Sequence, residues 1–248
     1  MKVFFIVAAL MVFTPLSVFG QAGSEKSKNK PVTEELLEME KRFEKQAPPD
    51  LLEAGRKGNE EISESGVVDS ALKVGDSMPG FELKDAYDKV HSSASLLEEG
   101  PIILVFYRGA WCPYCNLYLR GLQRRLADFE ERGAQLVAIS VEPPDRSLKV
   151  VKDNKLDFTV LSDPGLETAR KFGIVYELPQ VVDSAVKKRG LDIAKYNGQE
   201  NAELPISATY VVSKRGKIEY AFLDADYKKR GSPDDIIKVL DRLKMDAK

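Results

Sequence analysis

The chain of 248 residues contains two cysteines, Cys112 and Cys115, in a Cys-x-x-Cys spacing. A continuous apolar run rich in β-branched and aromatic residues, Ile102–Tyr107, precedes them and predicts a strand covered on both faces. Apolar residues at helical spacing follow and predict an amphipathic helix over residues 116–132. Cys112 would then lie at a helix N-terminus, where the dipole and the free backbone N–H groups favour a thiolate and lower the thiol pKa. The spacing therefore predicts a redox site.

Two other uses of a cysteine pair fit the sequence less well. A structural disulfide between residues so close in the chain closes a very short loop and removes little entropy from the unfolded state. A structural zinc site needs about four ligands, whereas the chain offers the two cysteines and a single histidine, His91. His91 lies in a polar stretch, residues 85–95, which favours a surface residue over a catalytic base and indicates no partner for it. We therefore predict neither a metal nor a cofactor.

Residues 1–20 have the pattern of a secretory signal peptide, with Lys2, an apolar stretch over residues 3–13, Pro15 and small residues before Gln21. The apolar stretch is shorter than the roughly 20 residues that a spanning helix needs, so we expect cleavage and no stable membrane insertion afterwards. The predicted location is periplasmic or secreted. In such oxidising compartments paired cysteines persist as disulfides.

The charges of the chain are nearly balanced, with a formal net charge of −2 at pH 7. This balance provides no electrostatic reason to expect nucleic acid or anionic lipid as a partner. We expect small molecules or proteins instead. The length fits one α/β domain with an extension better than two full domains.

The N-terminal part of the chain divides into two predicted segments. Residues 21–32 are polar and rich in Lys and Ser, which predicts a flexible leader. Residues 33–70 predict a helical extension whose first helix carries a thin apolar stripe of Leu36, Met39 and Phe43. The stripe fits packing against the main domain or against a second subunit of a homodimer, and the charged remainder fits a solvated helical arm. The sequence leaves these alternatives open.

Residues 71–248 alternate between strand and helix patterns, and they close with a predicted hairpin around Lys214-Arg215-Gly216 and a last helix. This order predicts an α/β domain with a mixed central β-sheet flanked by helices. Residues 177–203 match no element well. We interpret them as a surface insertion near the active site.

Several stretches of this domain carry a family resemblance and run in a consistent order through residues 72–243. They are Leu72-Lys73-Val74-Gly75-Asp76, Pro79-Gly80-Phe81, Phe106 to Cys115, Leu161-Ser162-Asp163-Pro164, Ala208-Thr209-Tyr210-Val211-Val212 and Phe222 to Tyr227. The chain resembles the alkyl hydroperoxide reductase/thiol-specific antioxidant family, in its peroxiredoxin-like branch, which has a thioredoxin-like fold. The resemblance implies that Cys112 is the peroxidatic cysteine and Cys115 the resolving cysteine that forms a disulfide with it. It also implies a hydroperoxide as substrate and a thioredoxin-like protein as reductant.

The chain departs from the family pattern close to the cysteines. Members of the family place a proline and a threonine before the peroxidatic cysteine and an arginine before a later strand, whereas this chain has Arg108-Gly109-Ala110-Trp111 and Ser207. Arg108 is the nearest candidate for a donor to the departing oxygen of the peroxide. The candidate substrate-binding residues are Trp111, Pro113, Tyr114, Ser207 and Thr209.

Three functions remain open on these residues. In a peroxidase, Cys112 attacks a hydroperoxide, becomes a sulfenic acid and is captured by Cys115 as a disulfide. In an exported thiol-disulfide oxidoreductase, Cys112 attacks a protein disulfide, and Trp111, Pro113 and Tyr114 supply an exposed apolar groove for the partner. The third alternative is a catalytically silent binding module with a thioredoxin fold. The family resemblance favours the peroxidase.

Overall fold

The computed structural model describes residues 30–246. The predicted signal peptide and most of the predicted leader lie outside the described residues. The prediction of a flexible leader is wrong at its end, because Val32 begins a helix and its side chain is only 4% exposed. Among residues 30–246, no helix is both long and apolar enough to cross a membrane.

The described residues alternate between helices and strands along most of the chain. The helices are α1 (Val32–Gln46), α2 (Pro49–Glu64), α3 (Val67–Ser70), α4 (Ser93–Glu99), α5 (Pro113–Gln123), α6 (Leu126–Glu130), α7 (Pro144–Asn154), α8 (Glu167–Lys171), α9 (Gln180–Lys187), α10 (Ile193–Asn197) and α11 (Pro233–Asp246). The strands are β1 (Glu82–Asp85), β2 (Val90–Ser92), β3 (Ile102–Tyr107), β4 (Gln135–Ser140), β5 (Thr159–Ser162), β6 (Val175–Glu177), β7 (Glu203–Pro205), β8 (Ser207–Val212) and β9 (Ile218–Asp224).

A seven-stranded mixed sheet forms the centre of the domain, in the order β2-β1-β5-β4-β3-β8-β9. Strand β3 pairs in parallel with β4 and in antiparallel fashion with β8. Strands β6 and β7 pair separately as a two-stranded sheet at the base of the segment 177–203. The predicted α/β domain with a mixed central sheet is confirmed.

Strand β3, which leads into the cysteines, is buried at every position. Its side chains alternate between two core clusters, because successive residues of a strand point to opposite faces of the sheet. Ile102, Leu104 and Phe106 join one cluster, and Ile103, Val105 and Tyr107 join the other. The second cluster also contains Cys112 and Cys115. The core that buries β3 therefore also holds the start of α5.

The helical extension packs against the rest of the described chain. Val32 and Leu36 of α1 are each 4% exposed, and a Cβ on Gly121 of α5 would lie 2.3 Å from Val32 Cγ2. A Cβ on Gly58 of α2 would likewise lie 2.3 Å from Val182 Cγ2 of α9. Both crossings depend on the missing side chain of a glycine. The sequence left open whether the apolar stripe packs against the main domain, against a second subunit or not at all. In the structure it packs against the main domain.

The predicted helix over residues 116–132 is two helices, α5 and α6, with a break at Arg124 and Arg125. Leu122, Leu126 and Phe129 all join the same core cluster on either side of the break. The apolar spacing is therefore the same with or without the break, and the sequence pattern does not reveal it.

Two segments that the sequence pattern left unassigned contain regular structure. Residues 177–203 form α9 and α10, which are too short for a clear helical periodicity. Residues 82–92 form the hairpin of β1 and β2, where His91 Nε2 lies 2.9 Å from Asp85 Oδ2. The structure thus gives His91 a partner that the sequence did not indicate. Strand β2 is the edge of the sheet and is separated from β3 by β1, β5 and β4.

We expect Gly58→Ala to lower the free energy of unfolding by about 1–2 kcal/mol, because the new methyl group overlaps Val182 and overpacking outweighs the gain in helix propensity. Gly55→Ala in the same helix is the control, since nothing lies within 4 Å of its Cβ position. That variant should gain about 0.5–1 kcal/mol. Urea unfolding followed by Trp111 fluorescence measures both. Equal stability of the two variants would contradict the packing of α2 on α9.

Candidate active site

The cysteine loop runs from Arg108, directly after β3, to Cys112, directly before the first turn of α5. The Cys112 N–H donates to the Gly109 carbonyl over 3.1 Å, and the Asn116 N–H donates to the Cys112 carbonyl over 3.1 Å. Gly109 has a φ of 142°, and a Cβ there would lie 2.6 Å from Trp111 Nε1. The loop therefore needs glycine at this position. The predicted placement of Cys112 at a helix N-terminus is confirmed.

Both cysteines are reduced and buried, with exposed fractions of 1% for Cys112 and 0% for Cys115. Cys112 lines a cavity of about 170 Å³, which we call the chamber, whereas Cys115 is not among its lining residues. The residues that line the chamber are Phe43, Leu51, Gly55, Asn59, Ile62, Arg108, Trp111, Cys112, Pro113, Tyr114, Tyr176, Leu178, Val182, Val186, Leu191, Ile193 and Tyr227. A small molecule in the chamber therefore meets Cys112 first.

The chamber is built from parts of the chain that are far apart in sequence. Helices α1 and α2 supply one wall, the segment 177–203 supplies another, and the cysteine loop lies between them. A larger groove of about 610 Å³ lies along α1 and α2 and shares Phe43, Leu51 and Tyr227 with the chamber. The groove and the chamber are therefore neighbours.

Arg108 is a buried cation that lines the chamber together with Cys112. Its Cζ lies 4.9 Å from the ring centroid of Trp111 and 4.2 Å from that of Tyr227, so two aromatic rings hold the guanidinium. Among the described residues the guanidinium has no hydrogen-bond partner and no carboxylate within ion-pair distance, and its Nε is fully buried. Its N–H groups are free to donate to a ligand in the chamber.

A second buried arginine, Arg230, was not predicted from the sequence. It lies in the loop between β9 and α11, and its Nη2 is 3.3 Å from Cys115 Sγ. Its Nη1 donates to the Ser207 hydroxyl over 2.5 Å. Because Arg230 is 115 positions from Cys115 and belongs to none of the motifs, no local pattern marks it.

The two thiols share their ionisation. Burial opposes charge on either sulfur, but a hydrogen bond from Cys112 and the positive charges of Arg230 and Arg108 lower the pKa of Cys115 below that of a free thiol. Burial, together with the hydrogen bond to Cys115 and the negative charge there, raises the pKa of Cys112 well above its ordinary value. The expectation that the helix N-terminus lowers the pKa of Cys112 is therefore wrong for the reduced pair, because burial and the neighbouring Cys115 raise that pKa more than the surrounding positive groups lower it.

Glu142 is a fully buried carboxyl group next to the cysteine loop. Its Oε1 accepts a hydrogen bond from the Ala110 N–H over 3.0 Å, and its Oε2 has no partner among the described residues. Burial raises the pKa of Glu142 from 4.5 to about 7; the Ala110 N–H opposes the shift and the negative charge of Cys115 adds to it. The site therefore contains a carboxyl group that titrates near neutral pH, which the sequence analysis missed.

The structure brings some of the predicted site residues together and not others. Arg108, Trp111, Pro113 and Tyr114 line the chamber with Cys112. Ser207 and Thr209 are buried outside it: the Ser207 hydroxyl accepts from Arg230, and Thr209 Oγ1 lies 3.3 Å from Tyr118 Oη. Within residues 30–246, no group of three or more His, Cys, Asp and Glu side chains is arranged to hold a metal ion.

The sequence of this domain is similar to that of known redox proteins. Residues 74–221 match the sequence model of the AhpC/TSA family. A Mycobacterium tuberculosis relative named as a peroxiredoxin is 31% identical over 103 residues, which are 42% of this chain and 67% of the relative. The chloroplastic peroxiredoxin Q of Populus jackii is 29% identical over 139 residues, which are 54% of this chain and 65% of that protein. The chain thus spans about two thirds of the length of these relatives.

The fold is similar to that of a solved relative. The crystal structure of peroxidoxin BcpB from Mycobacterium tuberculosis matches 69% of this chain and 97% of its own, with a TM-score of 0.54 and 23% identity. At that identity the match establishes the fold alone. The family match over residues 74–221 includes β3, the cysteine loop and α5, whereas α1, α2 and Arg230 lie outside it. Because the match covers more than half of the chain and contains the cysteine pair in its expected place, this chain belongs to the AhpC/TSA family.

Proposed function

We propose that this chain is a thiol-dependent peroxidase that reduces hydroperoxides with Cys112. The observation that carries the proposal is the buried Arg108 guanidinium, which lines the chamber with Cys112 and has no hydrogen-bond partner among the described residues. A buried cation with free N–H groups favours a ligand that brings oxygen atoms and develops negative charge during the reaction. A hydroperoxide does both, because cleavage of its O–O bond leaves an alkoxide or hydroxide.

The reaction needs only the two thiols and the hydroperoxide. In the first step, the Cys112 sulfur attacks the terminal peroxide oxygen while its proton moves to Cys115. The S–O bond forms, the O–O bond breaks, and the departing oxygen is stabilised by Arg108 and takes the proton from Cys115. In the second step, the Cys115 thiolate attacks the Cys112 sulfenic acid, the disulfide forms and hydroxide leaves. Two electrons pass from the thiols to the hydroperoxide.

The burial of the pair argues against the alternative of a thiol-disulfide oxidoreductase. Attack on a protein disulfide requires the partner's sulfur to reach Cys112, which is 1% exposed at the base of a cavity of about 170 Å³. Tyr114, predicted to form part of an exposed groove, is 2% exposed. The chamber has room for a small molecule but not for a protein segment.

The walls of the chamber favour a hydroperoxide with a compact hydrocarbon group. The segment 177–203 contributes aliphatic side chains to it, namely Leu178, Val182, Val186, Leu191 and Ile193. A hydrocarbon group gains about 25 cal/mol for each Å² of apolar surface that it buries there. Hydrogen peroxide has no apolar part and gains nothing from these walls.

We propose a thioredoxin-like protein as the reductant of the disulfide. Because the cysteine pair lies beneath α1 and α2, these helices must part before a second protein reaches it. The ion pairs that tie them to the domain include Glu40 with Lys228 at 2.6 Å and Asp50 with Arg189 at 2.7 Å. Such pairs near the surface contribute about 0–1 kcal/mol each, and the buried side chains of Val32 and Leu36 add to the cost of opening, so opening is a separate step of the reduction.

We also propose that the protein is exported, on the basis of the signal pattern in residues 1–20. Mass spectrometry of the protein N-terminus after fractionation of the producing cells tests this location. The expected mature protein begins near Gln21 and is found outside the cytosol. An intact Met1 in cytosolic protein alone would contradict the proposal.

Stopped-flow oxidation of the reduced protein without residues 1–20, followed by Trp111 fluorescence, tests the peroxidase function. We expect Cys112 to react about 100-fold faster than a free cysteine thiolate at the same pH, because a preorganised donor to a developing oxyanion contributes about 10²–10³ in rate. Cys112→Ser should abolish the reaction, and Cys115→Ser should allow one turnover that stops at the sulfenic acid. Oxidation of Cys112 at the rate of a free cysteine thiolate would contradict the proposal and favour disulfide exchange.

Val186→Thr tests the role of the chamber walls in the same assay. The substitution keeps the shape of the side chain but places a hydroxyl in the wall, so reaction with t-butyl hydroperoxide should slow by about tenfold, given a cost of about 1–2 kcal/mol for covering that hydroxyl. Reaction with hydrogen peroxide should not change. The matched variant is Val74→Thr, because Val74 is 60% exposed.

Glu142→Gln tests the buried carboxyl group of the site. Since the pKa of Glu142 is about 7 in the folded protein and 4.5 without burial, the folded protein binds more protons than the unfolded chain between these values. The contribution of Glu142 to stability therefore falls as the pH rises from about 4.5 and levels off above about 7. We expect Glu142→Gln to gain about 2.5 kcal/mol relative to the wild type between pH 5 and pH 8 in urea unfolding. A difference that is independent of pH would contradict the assignment.

A further inference from the structure

Arg230 is a buried cation without an acidic side chain to balance it. Its side chain is 7% exposed, and no carboxylate of the described residues lies within ion-pair distance of it. A buried guanidinium without a counter-charge is costly. The titratable groups around it are Cys115, whose Sγ is 3.3 Å from Nη2, and Tyr118, whose ring centroid lies 5.8 Å from Cζ. Burial raises the pKa of Tyr118, so its phenol stays neutral. A thiolate on Cys115 supplies the missing negative charge.

The structure fixes Arg230 in this position from several sides. Nη1 donates to three oxygens, which are the Ser207 hydroxyl at 2.5 Å and the carbonyls of Lys229 at 2.7 Å and of Tyr227. The next residue, Gly231, accepts a hydrogen bond from the Tyr118 hydroxyl over 3.0 Å. A Cβ on Gly231 would lie 3.2 Å from Phe222 Cβ, so this loop approaches β9 closely. The contact with Cys115 is therefore held by the fold and not by a flexible side chain alone.

The two buried arginines serve different cysteines. Arg108 lines the chamber with Cys112, whereas neither Arg230 nor Cys115 is among the lining residues. Of the two positive charges, that of Arg108 acts more strongly on Cys112 and that of Arg230 acts more strongly on Cys115. One guanidinium therefore lies where the substrate reacts, and the other contacts the cysteine that does not line the chamber.

We propose that Arg230 is a positioning residue that holds Cys115 and stabilises its thiolate for attack on the sulfenic acid of Cys112. The inference rests on the proposed peroxidase function and adds control of its second step. In that step the Cys115 thiolate attacks the Cys112 sulfur, the S–S bond forms, the S–O bond breaks and hydroxide leaves. The Arg230 guanidinium beside the Cys115 sulfur favours the thiolate that makes this attack. Arg230 lies outside residues 74–221, the part that matches the family.

The speed of the second step decides whether the sulfenic acid of Cys112 is captured by Cys115 or oxidised further. A second hydroperoxide oxidises a sulfenic acid irreversibly to a sulfinic acid unless a thiolate captures it first. A resolving sulfur that is already ionised favours capture, because the thiolate is the nucleophile in disulfide formation. Arg230 therefore protects Cys112 from overoxidation.

Arg230→Met tests the proposal in a single-turnover experiment, with the products at Cys112 identified by mass spectrometry. We expect disulfide formation to slow by about tenfold and the sulfinic acid fraction to rise by about tenfold, because Cys115 becomes largely protonated. The first oxidation of Cys112 should slow much less than disulfide formation, because Arg108 still lines the chamber with Cys112. Arg230→Lys should restore most of the disulfide yield. Arg132→Met is the matched control, because Arg132 is also partly buried but pairs with Asp241.

Several outcomes would overturn the proposal. One is that Arg230→Met forms disulfide and sulfinic acid in the same ratio as the wild type. Another is that both steps slow equally and lysine does not restore them, because that result indicates a structural role for Arg230. If Arg230→Met does not fold, Ser207→Ala replaces it: this variant removes one anchor of the guanidinium and should shift the partition in the same direction by about threefold. An unchanged partition there would count against the proposal. Slow first oxidation of the wild type would instead count against the peroxidase function. The ratio of disulfide to sulfinic acid can still be measured in that case, because it depends only on the sulfenic acid that has formed.

Discussion

The chemistry of the site depends on two guanidinium groups, Arg108 and Arg230, that are buried beside a pair of thiols. Among the described residues neither group has a carboxylate partner, so each favours negative charge on the sulfur beside it. Arg108 lines the chamber with Cys112, whereas Arg230 contacts Cys115, which does not line the chamber. Cys112 therefore meets the substrate, and Cys115 is held for the second step.

The same burial determines which molecules reach the pair. Helices α1 and α2 and the segment 177–203 lie outside the sheet, yet together they form most of the chamber walls. Their contact is close, since a Cβ on Gly58 would lie 2.3 Å from Val182. The helical extension is therefore part of the active site, where it excludes water and protein segments from Cys112 and strengthens the electrostatic effect of Arg108.

The departures from the family pattern have a common physical explanation. At Ser207, where the family resemblance leads one to expect an arginine, the hydroxyl accepts a hydrogen bond from Arg230, which belongs to the loop before α11. The cysteine loop, which lacks the family's proline and threonine, is held instead by Gly109 and by the Glu142 carboxylate on the Ala110 N–H. In both places positive or donor groups are supplied by residues that are remote in sequence.

Patterns in neighbouring residues are enough to predict the main elements and the location of the chemistry. Strand β3 has the predicted bounds, and Cys112 lies at the predicted helix N-terminus, because burial on one face or both leaves a periodic pattern in neighbouring residues. The surroundings of the cysteine pair become visible only in the folded chain. Arg230, Glu142 and the chamber walls act on the pair through space across long separations in the chain, and charge and desolvation at a buried sulfur depend on such contacts and not on local periodicity.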